Sequence, residues 1–134
     1  SNPLGLRCTR FRILERNGLV ALRHYSQGNN VYAELGQCDK AIFEYDRAIE
    51  LDSECASAYQ ARGKAYIELG EYDKAISDFT QAIQLDPKFA MAYRGRGIAY
   101  GYLGEYNQVI SDCTQAIELN SKLSVKLRAH LSVT

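Results

Sequence analysis

AYQARGKAYIELGEYDKAISDFTQAIQLDP, from Ala58 to Pro87, is one of three versions of the same stretch, set 34 residues apart along this chain. AYRGRGIAYGYLGEYNQVISDCTQAIELNS follows it, from Ala92 to Ser121, and HYSQGNNVYAELGQCDKAIFEYDRAIELDS precedes it, from His24 to Ser53. The later copy keeps 18 of the 30 letters and the earlier copy 13, too many at one fixed spacing to be chance. A fixed period of this length means a stacked array of one small unit, in which each unit touches only its neighbours.

Inside each copy the apolar places recur at helical spacing. In the middle copy Tyr59, Gly63, Tyr66 and Leu69 form one stripe. Tyr72, Ala75, Ile76, Phe79, Ala82, Ile83 and Leu85 form a second. Each stripe predicts an amphipathic helix of three to four turns. Gly70 between them suits the left-handed residue that ends a helix, and Asp73 places an acid at the positive end of the next. So short a loop makes the two helices antiparallel. Gly63 and Ala82 lack bulk and let the backbones approach, while Tyr59, Tyr66 and Phe79 fill the space beside them. Asp86-Pro87 ends the unit, because proline disfavours helix in the residue before it. Ser53 and Ser121 stand at the proline's place in the other copies, where serine is a good N-cap for the following helix. One helix pair cannot bury both stripes, but about three stacked pairs can.

The letters Y-x-x-x-G-x-x-Y, L-G, A-I-x-x-F-x-x-A-I and D-P appear here as Tyr59, Gly63, Tyr66, Leu69, Gly70, Ala75, Ile76, Phe79, Ala82, Ile83, Asp86 and Pro87. This pattern resembles the tetratricopeptide repeat over residues 22–123, about three quarters of the chain. The resemblance implies an all-α fold, a right-handed α-solenoid of antiparallel helix pairs, with units at 22–55, 56–89 and 90–123. The end copies depart from the pattern. Asn29 stands for the glycine and Cys38 for the tyrosine in the first; Val109 stands for alanine and Cys113 for phenylalanine in the third. Residues 124–134 restart a first helix, with Leu123, Leu127 and Leu131 in line, and are expected to form a C-terminal capping helix. Residues 1–21 form a basic segment, partly ordered or a short helix. Leu6, Phe11 and Leu14 offer a weak stripe over 6–16, and Asn17-Gly18 is expected to break it.

Sixteen basic and sixteen acidic residues cancel, but unevenly. Five arginines against Glu15 open the chain, the repeats from 25 to 121 carry eight bases against fifteen acids, and Lys122, Lys126 and Arg128 close it. An acidic array does not suit a phosphate backbone, so no nucleic-acid partner is expected. The basic ends read as solvated tails, or as ends that fold back on the acidic block or recruit an anionic partner. An Arg-rich start also resembles an organelle transit sequence, but it is poor in serine and runs into the first repeat. No apolar run approaches a membrane span, and no secretory signal is visible. The chain opens on Ser1 rather than Met, the mark of a fragment or a processed chain. Cys8, Cys38, Cys55 and Cys113 form no C-x-x-C pair and no zinc spacing. Cys38 and Cys113 read as small buried hydrophobes, and free thiols point to a cytoplasmic setting.

No nucleophile elbow, phosphate loop, H-E-x-x-H or dinucleotide fingerprint is present, and His24 and His130 stand at opposite ends of the array. An enzyme is therefore not expected, nor a cofactor or metal. Arg62 with Asp78 and Arg96 with Asp112 read as half-exposed structural ion pairs worth ~0–1 kcal/mol. Nine of the ten tyrosines fall at places the repeat dictates; Tyr102 alone does not.

The family resemblance implies that first helices line a concave groove for an extended peptide or a helix. Carried over residue by residue, the inner face comprises Arg23, Ser26, Asn30, Ala33 and Glu34, then Ser57, Gln60, Lys64, Ile67 and Glu68, then Met91, Arg94, Ile98, Gly101 and Tyr102. From these we take Asn30, Gln60, Lys64, Ile67, Glu68, Met91, Arg94, Ile98 and Tyr102 as the candidate partner-binding residues. Met91, Ile98 and Tyr102 are expected to form an apolar patch, and Lys64 and Arg94 with Gln60 and Asn30 a slightly cationic floor. One branch of the family clamps chaperone carboxyl termini with two Lys, two Asn and an Arg. At those places this chain has Ser26, Asn30, Ala61, Met91 and Gly95, so only Asn30 matches. The expected function is a non-enzymatic protein–protein interaction module, a scaffold or adaptor segment with a protein or peptide partner and none in the membrane. The alternatives are a self-assembling homo-oligomer, or the targeting arm of a larger enzyme or regulator.

Overall fold

A computed structural model describes residues 16–133, all of them helix or short connection with no strand. Six helices follow one another: α1 Arg16–Leu35, α2 Cys38–Leu51, α3 Ala56–Glu68, α4 Tyr72–Leu85, α5 Ala90–Leu103 and α6 Tyr106–Val133. They pair as α1 with α2, α3 with α4 and α5 with α6, and each pair stacks on the next through α2 with α3 and α4 with α5. This is the all-α repeat solenoid expected from the 34-residue period.

The turn inside each unit is a glycine with positive φ: Gly36 at 60°, Gly70 at 76° and Gly104 at 78°. At Gly70 the chain closes the helix with Gly70 N–H on the Ile67 carbonyl and Glu71 N–H on the Tyr66 carbonyl. Any residue with a Cβ would be strained there. The turn between units has another cause. Asp52 and Asp86 leave the helix at φ −144° and −142°, and each side chain accepts the N–H two residues on, from Glu54 and Lys88, at 3.1 Å. That loop occupies Ser53, so the next helix begins with Cys55 at its N-cap and Ser53 caps nothing.

Three expectations at the ends need correction. Asn17-Gly18 does not break a helix: α1 begins at Arg16, inside the segment expected to precede the array, with Gly18 and Ala21 buried. The helix expected over 6–16 lies outside the described residues, Arg16 excepted. At the other end, Ser121 does not cap a new helix, and no separate capping helix forms at 124–134. Asn120 and Ser121 replace the Asp-Pro that turns the chain in the middle unit. Neither residue stops a helix whose hydrogen-bond ladder is already in place. α6 therefore runs on to Val133. Among the described residues Cys38 and Cys113 are free, the first buried and the second half-buried.

Close approach governs the core. Phe79, 1% exposed, drives its ring between α3 and α5, where Gly63 and Gly95 face it. A Cβ at Gly63 would lie 3.0 Å from Phe79 Cζ, and one at Gly95 would overlap the ring. Ala75, Ala82, Ala92 and Ala99 are fully buried around it, with Phe89 alongside. The first unit solves the same problem with other residues. Tyr45 replaces the phenylalanine, Gly28 lies under its ring, and its hydroxyl donates to Asn29 Oδ1 at 2.6 Å. Asn29 is thus the partner that a buried phenol needs.

Arginine ties the units together. Arg62 on α3 donates through Nε and Nη2 to both oxygens of Asp78 on α4, at 2.8 and 2.7 Å. Its Nη1 reaches back to Asp46 on α2 of the preceding unit, at 2.7 Å. Arg96 repeats this with both oxygens of Asp112 and with Thr80 Oγ1. Burial works against the charge on Arg62, but the two carboxylates outweigh it and hold its pKa above the ordinary value. Asp78 and Asp112 are only 5% and 4% exposed, so these are not the half-exposed pairs expected. In the first unit Gly28 and Glu44 stand at these places, and Glu44 pairs instead with His24, Nδ1 donating at 2.6 Å.

Arg62→Ala leaves Asp78 buried and uncompensated and should cost about 3–5 kcal/mol in urea unfolding. Arg47→Ala, which removes an exposed pair with Glu50, should cost less than about 0.5 kcal/mol. Equal losses would remove the arginine from its place between units. Gly95→Ala should lower Tm by overpacking the Phe79 ring, a loss of about 1–3 kcal/mol before the gain in helix propensity. Gly101→Ala, whose Cβ would meet Val109 at an ordinary 3.8 Å, should raise stability by up to about 1 kcal/mol.

Candidate functional site

The leading helices α1, α3 and α5 lie in sequence, α3 touching both of the others. Between α3 and α5 opens a cavity of about 310 Å³. Seven of the nine candidate residues line it: Gln60, Lys64, Ile67 and Glu68 from α3, and Met91, Arg94 and Ile98 from α5. Helical spacing places them together. Gln60, Lys64 and Ile67 follow steps of four and three, as do Met91, Arg94 and Ile98 in the other order. Phe79 and Gly95 complete the lining. The sequence did carry a sign of Gly95. It is the additional small residue in Arg94-Gly95-Arg96-Gly97, at the place of Ala61 one unit earlier.

Two candidates fall elsewhere. Asn30 is exposed on α1, outside this cavity. Tyr102 does not join Met91 and Ile98; its ring stacks on Tyr72 at the start of α4, centroids 4.6 Å apart and planes 6° from parallel. Two wider inner-face positions also differ from expectation. Ser57 is buried, and Gly101 faces Val109 on α6 rather than the trough. Both lie where a leading helix turns toward its neighbours, a rotation that spacing alone does not resolve.

The polar groups of the cavity differ in their freedom. Glu68 accepts hydrogen bonds from the Tyr32 hydroxyl and, at 3.7 Å, from the Cys38 thiol. Burial and this carboxylate push the pKa values of both Tyr32 and Cys38 up. Glu68 thus serves first to bind the first unit to the second. Lys64 lies 5.3 Å above the Tyr32 ring, in cation–π range. Among the described residues Arg94 makes no hydrogen bond or ion pair, and it is exposed. Met91 and Ile98 are 56% and 43% exposed. The cavity is therefore an apolar trough edged by one engaged and one unengaged cation. Nothing in it arranges a nucleophile beside a base. No cluster of three or more His, Cys, Asp or Glu among the described residues could hold a metal, and no helix there is long and apolar enough to cross a membrane.

The TPR repeat model matches residues 30–70 and again 63–104, and the tetratricopeptide repeat model matches residues 90–123. No curated protein sequence matches the chain. Among solved structures, it is similar to the second TPR of Spaghetti (RPAP3) bound to the HSP90 peptide SRMEEVD. The identity is 33% over 75% of this chain and 92% of that one, with a TM-score of 0.73. The Arabidopsis OM64 TPR domain is 32% identical over 77% of this chain and 84% of that one, with a TM-score of 0.75. The second TPR domain of human RPAP3 in complex with the HSP70 peptide SGPTIEEVD is 30% identical over 81% of this chain and 98% of that one, with a TM-score of 0.70. Matched by family models over most of its length and by solved domains at this identity, the chain belongs to the tetratricopeptide repeat family.

Proposed function

We propose that this chain is a non-enzymatic protein-interaction module whose trough between α3 and α5 takes an extended peptide bearing both acidic and apolar side chains. The observation that carries this reading is the lining of the cavity. Ile67, Met91 and Ile98 offer apolar surface within reach of Lys64 and Arg94. An apolar side chain entering there removes exposed hydrocarbon from water, and a carboxylate on the same peptide meets Arg94. The solved RPAP3 domains support the class of ligand, since their peptides SRMEEVD and SGPTIEEVD carry acids and apolar residues together.

The mode of binding differs from a terminal-carboxylate clamp. Its five places hold Ser26, Asn30, Ala61, Met91 and Gly95 here, and the cations stand at Lys64 and Arg94 instead. The peptide is thus held by internal acids and by apolar contact rather than by its free end.

An array of short acidic and apolar peptides, with SRMEEVD among them, tests this. Arg94→Ala and Lys64→Ala should each weaken the bound peptides about 5–10-fold, with little change in Tm. Tyr102→Ala should leave binding unchanged, because that ring stacks on Tyr72. Amidating the peptide carboxyl terminus should also leave affinity unchanged. Binding indifferent to both cations would remove the trough, and binding lost on amidation would replace this mode with a clamp.

A further inference from the structure

Cations in this chain lie over aromatic rings. Arg47 is 6.0 Å from the Phe43 ring centre, Arg62 5.7 Å from Tyr59, Lys64 5.3 Å from Tyr32, Lys74 5.6 Å from Tyr66 and Arg96 5.8 Å from Tyr93. Arg62 and Arg96 do more. Each follows its tyrosine by three residues, so one helix face carries ring and guanidinium together. The guanidinium lies over the ring while its N–H groups hold carboxylates, Asp78 and Asp46 for Arg62 and Asp112 for Arg96. The flat face and the N–H edge are separate binding surfaces of one group.

Arg94 has the same group and neither partner. Among the described residues it has no ring beneath it, no hydrogen bond and no ion pair, and it is exposed at the trough between α3 and α5. The trough beside it suits a ring. Its volume of about 310 Å³ lies at the low end of the ~300–1,000 Å³ of ligand pockets, room for one planar side chain rather than a length of peptide. Gly95 forms part of the lining, at the place of Ala61 one unit earlier. With no Cβ there, the Phe79 ring approaches the α5 backbone with its Cζ–Cε1 edge, and Phe79 also lines the cavity. A ring edge carries the positive end of the quadrupole and attracts the face of a second ring. Met91, exposed, adds a thioether, which favours aromatic contact too. Ile67 and Ile98 receive any apolar side chain, but Arg94, Phe79 and Met91 each favour a ring.

We propose that the ligand of the trough carries an aromatic side chain within two residues of an acidic one. The ring enters the cavity against Phe79 and Met91, beneath the guanidinium of Arg94, and the carboxylate meets the N–H groups of that guanidinium. Two residues of extended chain span about 7 Å, within the reach of one arginine. This rests on the peptide-binding reading above and narrows it. An aliphatic side chain fills the same space but draws nothing from the face of Arg94. Gly95 is the specificity-determining residue, because a Cβ at that place would overlap the Phe79 ring and displace it from the lining.

Titration of the whole 134-residue chain with a peptide series tests this. Every peptide keeps one acidic residue, and the residue two places before it is Ala, Leu, Phe or Trp. Phe and Trp should bind at least about tenfold more tightly than Leu. Arg94→Ala should cut that preference to about threefold or less, costing the Phe peptide more than the Leu peptide, as a direct coupling requires. Met91 is the one methionine of the chain, so its isotope-labelled methyl gives a single NMR signal. The Phe peptide should move that signal upfield through its ring current, and the Leu peptide should not. Phe and Leu peptides of equal affinity, both weakened by Arg94→Ala, would overturn the aromatic anchor and leave the acidic and apolar reading standing. An aromatic preference that leaves the Met91 methyl unmoved would overturn the anchor as well. Binding of no peptide in the series would overturn both readings.

Discussion

A guanidinium stands where three helices meet, and the array depends on it. Arg62 grips Asp78 of its own unit with two hydrogen bonds and Asp46 of the preceding unit with a third. An apolar contact between stacked helices tolerates sliding, because burial has no direction. A planar fork holding two carboxylates on two different helices does not. The arginine therefore sets the angle and register at which one hairpin follows another. At the next junction Arg96 keeps the two-pronged grip on Asp112 but finds the neutral Thr80 behind it. In the first unit Gly28 stands at the arginine's place, and His24 with Glu44 serves a single hairpin.

Most of the fold was legible because it is written three times. A helix boundary read once from propensity is weak, but Gly36, Gly70 and Gly104 fall at one place in the frame and all adopt positive φ. Repetition also fixed the pairing of each leading helix with the one after it. The frame fails at the first and last copies, whose letters depart most from it. Asn17-Gly18 is a turn signal in isolation, yet α1 continues through it with Gly18 buried. At the far end the frame predicts a turn at Asn120-Ser121, but the period records where turns have been, not what forces them.

The trough was legible in its lining and less so in its edges. Seven residues carried over from the family resemblance line one cavity between α3 and α5. Tyr102 was placed there by the same carry-over, beside Met91 and Ile98. Only the positions of two helices in space show that Tyr72 is close enough to stack on it. Glu68 was read as a groove charge, and the structure adds that Tyr32 and Cys38 already occupy its carboxylate. Asp46 was missed altogether, since a contact between adjacent units has no counterpart inside the repeat itself.

The bond from the Tyr45 hydroxyl to Asn29 bears on how such an array diverges after duplication. If the middle unit's glycine and phenylalanine reflect the ancestral pair, two replacements separate the first unit from it. Adding the hydroxyl first buries it unanswered, at about 1–3 kcal/mol. Adding the amide first crowds the ring that Gly63 now admits. Either order descends through a poorer intermediate, so the two substitutions are bound by epistasis. Hairpins exchanged by recombination remain interchangeable only when both members of that couple travel together.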